Sequence, residues 1–259
     1  MSIFTTPLFY YDFTVTVDDI FINFNEGGPE LTTTVSAGRY SFTDLASQIA
    51  LALNNIGGQV YTVTANRADR TYTISASSNF SLLFETGSNS GLSVASVIGF
   101  DASDKTGANT YSSDSPAGKE FSPQFPLQDY VDLQDYQEFS QANINESASG
   151  KIEVFSIGTN RFLEFNIGPT TDNVMRSSGG LFVNNPSAVS ELRQFMQYAI
   201  TKGPIEFMKS NADKSTFNTI ILERTPTSGT GTGFKLRELY GRGLVGFFET
   251  GNLRFRERV

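Results

Sequence analysis

The chain contains no cysteine, no histidine and no tryptophan. Without cysteine there is no disulfide framework, no iron–sulfur cluster and no thiolate zinc site. Without histidine the commonest general base and metal ligand are missing, as is every Ser-His or Cys-His nucleophile. No segment approaches the ~20 consecutive apolar residues that span a bilayer. The opening Met1 to Pro7 has neither the basic region nor the apolar stretch of a secretory leader. Synthesis and retention in a cytoplasm, at least until assembly, is the expectation. What is present is aromatic: 23 Phe and 10 Tyr in 259 residues. That length suits one large domain or two modest ones, with a sizeable core and no need of staples. An enzyme would have to work through carboxylates, Lys or Tyr. The composition points to a non-enzymatic building material with no cofactor and no metal.

Charge is unevenly spread. The formal net charge is −8. Residues 1–130 hold 13 acids and 5 bases, whereas residues 131–259 hold 14 of each. This asymmetry predicts two modules with different surfaces. An acidic chain is poorly suited to wrapping nucleic acid, which needs clustered Lys and Arg. It suits the wall of a channel through which DNA slides without sticking.

Periodicity predicts the elements. Residues 9–17 and 20–25 alternate as two strands with a break near Asp18 and Asp19. Gly27 to Pro29 is a turn, and Glu30 to Ser36 a Thr-rich strand. Ser41 is placed to cap a helix, with Asp44 three residues on. Phe42, Leu45, Ala46, Ile49, Ala50 and Leu53 form its apolar face, and Asn54 to Gly58 end it. Strands follow at Val60–Ala65, Thr71–Ala76 and Phe80–Phe84, then a short helix from Leu92 to Ile98. Residues 101–125 are small, polar and aperiodic, which reads as a linker or extended arm. A small tandem, Leu127 to Tyr130 and Leu133 to Tyr136, is too short for a repeat fold.

The second half opens with strands Lys151–Ile157 and Arg161–Ile167 around a turn at Gly158 to Asn160. A helix from Pro186 to Lys202 carries Val189, Leu192, Phe195, Met196, Ala199 and Ile200 on one stripe, with Gly203 and Pro204 as stop signals. Five strands complete the chain: Ile205–Met208, Phe217–Arg224, Phe234–Leu239, Val245–Glu249 and Leu253–Val259. The fold class is α+β and β-dominated. The expected divisions are an N-terminal α+β module at 1–110, a linker or arm at 111–150, and a module at 151–259 built as an antiparallel sheet or barrel with one helix against it.

Several motifs invite chemistry. Thr227 to Gly233 looks like a phosphate loop but lacks the Gly-Lys-Ser/Thr ending and precedes a strand, so a hairpin tip fits better. Asp101, Asp104 and Asn109 near Gly107 miss the spacing of a calcium loop, which leaves a solvated loop. Glu206, Glu223 and Glu249 would have to converge for glycoside hydrolysis, yet they sit on three predicted strands and read as ordinary surface carboxylates. In the last strand Leu253 and Phe255 alternate with Arg254, Arg256 and Arg258, three guanidiniums ~7 Å apart. They read either as a charge-guarded sheet edge or as a pairing surface for acidic residues of a neighbouring subunit. Phe4, Phe9, Phe121, Phe125 and Phe139 lie in short or irregular segments, as aromatic anchors on arms do at interfaces.

The stretch Ser36 to Asn54, then Tyr61 to Thr64, Tyr72 to Ser75, Phe80 to Leu83 and Val97 to Phe100, resembles a module found in structural proteins of tailed bacteriophages. The hairpin, the helix Pro186 to Lys202, Pro204 to Met208 and Phe248 to Phe255 resemble a tail-tube, distal-tail or baseplate ring protein. The resemblance implies a β-barrel or sandwich flanked by a helix, assembled into a hexameric ring with an acidic lumen that lets DNA pass. It implies a virion structural subunit of the tail or baseplate, assembled in the host cytoplasm. Its partners would be itself and neighbouring tail proteins, with Arg254, Arg256, Arg258, Phe121 and Phe125 at subunit contacts. The alternative is a receptor- or glycan-binding adhesin whose exposed Tyr and Phe stack on sugars.

Overall fold

The computed structural model describes residues 7–122, 137–146, 152–166, 170–171, 191–224, 237–238 and 247–258. The alternating start of the chain forms β1 (Leu8–Tyr11), β2 (Phe13–Val15) and β3 (Phe21–Asn25). A break unforeseen in the sequence falls at Asp12, which sits in the left-handed region at φ 64°. Asp tolerates that backbone because its short polar side chain bonds locally. Here its carboxylate accepts from Thr14 at 3.0 Å and pairs with Lys119 at 2.8 Å.

After β4 (Leu31–Thr34) and β5 (Gly38–Tyr40), α1 runs from Phe42 to Ile56. Its cap is the expected one, with the Asp44 amide donating to Ser41 Oγ at 3.1 Å. The expected stripe is buried, except that Ala52 replaces Ala50. The two strands predicted at 71–76 and 80–84 are one, β7 (Thr71–Leu82), paired on one side with β6 (Tyr61–Asn66). The short helix expected at 92–98 is two 3-10 turns, Ser90–Leu92 and Val94–Ser96. They end at Gly99 with φ 79°, where a Cβ would stand 2.2 Å from the Ser115 carbonyl oxygen.

The stretch expected as linker carries two strands, β8 (Lys105–Ser112) and β9 (Lys119–Phe121). Composition misleads here. A strand of Thr, Ser and Asn looks like a loop until a neighbouring strand supplies its backbone partners, as β7 does for β8. The second correction concerns the turn at Gly158. The chain passes straight through it as β11 (Ile152–Asn166), paired with β10 (Gln137–Glu146); β11 takes up the irregularity as a bulge at Ile157, since Gly158 faces Gln141 and Ser156 faces Ala142. The remaining elements are β12 (Thr170–Thr171), α2 (Glu191–Ile200), β13 (Ile205–Met208), β14 (Asn218–Arg224), β15 (Arg237–Glu238), β16 (Phe247–Glu249) and β17 (Asn252–Glu257). The predicted start of α2, the tandem at 127–136 and the glycine-rich stretch at 227–233 lie outside the described residues.

Every strand pairing between these elements is antiparallel, and the fold is β-dominated α+β. The largest sheet has seven strands in the order β10-β11-β17-β14-β13-β1-β9, open at both ends among the described residues. A five-stranded sheet holds β4-β3-β7-β6, with β8 on the other side of β7. β12-β16-β15 and β2-β5 make two smaller sheets.

The order of the large sheet shows how the modules join. β1 and β9 are adjacent and antiparallel, with Tyr11 opposite Lys119. Residues 13–117 are therefore an insertion between two neighbouring strands of the sheet, whereas the sequence placed a boundary at 110. A linear reading misses this, because sheet order need not follow chain order. At β1 and β13 the sheet is buried on both faces. Phe9, Phe121, Phe207 and Phe255 pack with Leu192, Phe195 and Met196 of α2. On the opposite face Leu8, Tyr10 and Met208 join the core of the insertion, with Phe13, Phe42 and Tyr72. All four residues of β1 and all four of β13 are buried, so two layers share these strands.

Candidate assembly interface

Glu206 marks the junction. The sequence reads it as an ordinary surface carboxylate, but in the structure its side chain is fully buried in β13. Its Oε2 lies 2.9 Å from Arg67 Nε, and its Oε1 accepts from the Thr43 amide at 3.2 Å and the Thr43 hydroxyl at 3.1 Å. The carboxylate therefore caps the first turn of α1 from another module, where the helix dipole favours negative charge. Arg67 lies over the Phe217 ring at 3.4 Å from its centroid. Burial pushes the Tyr72 hydroxyl well above its usual range, and the Glu206 charge raises it further. Further contacts ring the junction: Arg39 donates to the Thr201 carbonyl at 2.7 Å, Lys214 to the Ala68 carbonyl at 2.8 Å, and Tyr10 to the Arg67 carbonyl at 2.8 Å.

The other two carboxylates of the proposed hydrolytic set do not join it. Glu223 stands 3.2 Å from Arg254 Nε, and the Glu249 side chain lies outside the described residues. Asp101 and Asp104, read as a solvated loop, spend their oxygens locally. Asp104 accepts from the Glu85 and Thr86 amides at 2.7 and 3.1 Å, and Asp101 pairs with Lys105 at 2.7 Å. Lys105 and the Ser103 hydroxyl and amide hold the Asp101 carboxyl at about 2, below the ordinary 3.8. Its contribution to stability is complete above pH 3.8 and fades as pH falls through about 2. In Lys105→Met, a carboxyl-carbon NMR titration should show the Asp101 midpoint move up towards 3.8. A midpoint still near 2 would contradict this assignment of the cause.

The arginine strand is not an edge. β17 lies between β11 and β14, with partners on both sides. Arg254 rests over the Phe162 ring at 4.0 Å, with its Nε 3.5 Å from Glu164 Oε1 as well as near Glu223. Arg258 reaches Asp44 of α1 at 3.5 Å. Two of the three guanidiniums thus meet acids of their own chain. Arg256 is exposed and without a hydrogen-bond or ion partner among the described residues. Phe121, expected as an exposed anchor, is 0% exposed and stacks on Phe195 at 4.8 Å between centroids. Phe9 is buried in the same cluster. Phe4 and Phe125 lie outside the described residues, as does the side chain of Phe139. Every described Tyr and Phe whose exposure is given is buried or half-buried.

Two backbone features were not legible in the sequence. Among the described residues, β10 is a 10-residue edge strand of the large sheet. It pairs with Ile152 to Phe162 of β11, whereas β17 pairs only with Phe162 to Asn166. Among the described residues, residues 152–161 therefore have a partner strand on one side only, and with β10 they extend past the sheet as a two-stranded ribbon. At the opposite edge, β9 borders a polar cleft of about 600 Å³ lined by Tyr11, Arg70, Lys119, Glu120, Ser122 and Gln194. Arg70 lies 3.4 Å from Glu120.

No protein-family model matches the chain, and no curated protein matches it significantly.

Proposed function

We propose that the chain is a structural subunit of a tailed-phage virion. It assembles with copies of itself into a ring in the tail or baseplate and stacks on neighbouring tail proteins. The observation that carries this reading is the projecting β10–β11 ribbon. A two-stranded ribbon is marginal alone in water, and a long free edge invites pairing. One copy's long edge β10 and another's short edge β9 are different surfaces, so the contact is heterologous and closes into a ring when the rotation allows. In that ring the open sheets join into a barrel-like wall, assembled in the host cytoplasm, with DNA at most passing through the lumen. Arg256 is left to meet an acid from the next copy, where the −8 charge of residues 1–130 supplies many.

Proline scanning of the edge tests this. Neighbouring residues of an antiparallel strand direct their backbone groups alternately towards and away from the partner strand. Of Asn143→Pro and Ile144→Pro, the one whose amide points outward should keep the melting temperature of the subunit and lose the oligomer in light scattering. Assembly unchanged in both variants would count against the edge as the contact.

A further inference from the structure

The insertion covers only part of the sheet face that carries it. On β13, Glu206 and Met208 point into the insertion and are fully buried. The register carries that face onward: Glu206 is opposite Thr219, Ile221 opposite Arg256, and Arg256 opposite Phe162. On the α2 side of β14, β17 and β11, alternation buries Leu222, Phe255 and Leu163. On the insertion side of the same strands, Ile221 and Phe162 are only half-buried, and Arg256 is exposed. These three form one row across an open shelf, a guanidinium between two apolar side chains. Arg and aromatic residues are the types enriched where protein surfaces meet.

Charge singles out the same row. Among the residues whose side chains are described, Arg256 is the one cation without a hydrogen-bond or ion partner. The insertion, residues 13–117, holds ten acids and four bases. All four bases are engaged: Arg39 with the Thr201 carbonyl, Arg67 with Glu206, Arg70 with Glu120, and Lys105 with Asp101. Two of its carboxylates, Asp18 and Glu85, are exposed and without a partner among the described residues. Asp18 follows Val17, which is 70% exposed. That loop offers an apolar group beside its charge, as the shelf does with Phe162 and Ile221 beside Arg256.

We infer that the insertion of the next copy covers this shelf, with Asp18 or Glu85 on Arg256. The inference rests on the ring reading, in which β10 of one copy lies beside β9 of the next. Rotational symmetry turns the same face of every copy the same way. The insertion reaches its own β9, where Arg70 meets Glu120 at 3.4 Å. In the ring it therefore stands at the seam between copies, on the same side as the neighbour's shelf. From that β9 across β10 and β11 to the strand of Arg256 is three strand spacings, ~14 Å. Opposite charges across such a contact fix its register and exclude wrong partners.

The test is charge reversal and crosslinking in the full chain. Arg256→Glu sets like charges against each other and should raise the concentration needed for assembly about tenfold in light scattering, at an unchanged melting temperature. Adding Asp18→Lys or Glu85→Lys to that variant should restore assembly in one of the two. The chain has no cysteine, so a disulfide can be placed without competition. Arg256→Cys combined with Asp18→Cys or Glu85→Cys, whichever position rescues, should give a ladder of covalent multimers in denaturing gels after oxidation. If the unmodified chain never assembles, the ring reading falls and takes this inference with it. The inference alone is overturned if the unmodified chain assembles and Arg256→Glu assembles equally well, or if neither second substitution rescues it. It is also overturned if the disulfide forms within one copy and leaves the chain at monomer size.

Discussion

Replacing Glu206 with alanine is expected to destabilise the protein by about 3–5 kcal/mol, the range for removing one partner of a buried ion pair. The size follows from what is left behind. Arg67 keeps a guanidinium whose side chain is only 16% exposed, and its Nη2 already lacks a hydrogen-bond partner. The Thr43 amide loses its acceptor in the first turn of α1. Glu206→Gln should cost less, because an amide oxygen can still accept from Thr43 while the attraction to Arg67 is lost. The double variant Glu206→Leu, Arg67→Met should recover much of the loss, since well-packed apolar replacements of a buried pair are often neutral. Urea denaturation of the three variants checks this. A cost below about 1 kcal/mol for Glu206→Ala would place the carboxylate in water.

The second large effect lies on the other face of the sheet. Phe195 of α2 stands 4.8 Å from Phe121, 5.0 Å from Phe9 and 5.5 Å from Tyr11, measured between ring centroids. Truncation to alanine empties the centre of that cluster and should cost about 3–5 kcal/mol. The loss should appear as one shifted transition and not as the melting of a separate domain. The reason is that β1 sends Phe9 and Tyr11 to one core and Leu8 and Tyr10 to the other. Calorimetry showing two transitions, with only one moved, would separate the layers that the structure joins.

The sequence was legible where local chemistry decides. The Ser41 cap, the face of α1, the stripe of α2 and the stop at Lys202 to Pro204 follow from periods and caps that need no tertiary partner. It was illegible where a partner decides. β8 has a loop's composition and becomes a strand because β7 runs beside it. Gly158 looks like a turn and is carried through because β10 runs beside it. The insertion of residues 13–117 between β1 and β9 leaves no local mark except Asp12 and Gly118, both at positive φ where the chain leaves and rejoins the sheet. Of the proposed contact residues, alternation correctly put the arginines of β17 on one face. Only pairing shows that the strand is interior and that Glu223, Glu164 and Asp44 of the same chain take up two of them. Glu206 sits in the short apolar stretch Ile205 to Met208, and that isolated charge was the one available hint of its burial.

The most direct measurement is electron microscopy of the purified chain at high concentration, with class averages compared against light scattering. The account predicts closed rings of a single symmetry, with β10 of each copy at the subunit boundary. A population of compact monomers at every concentration, with the β10–β11 ribbon free, would contradict it.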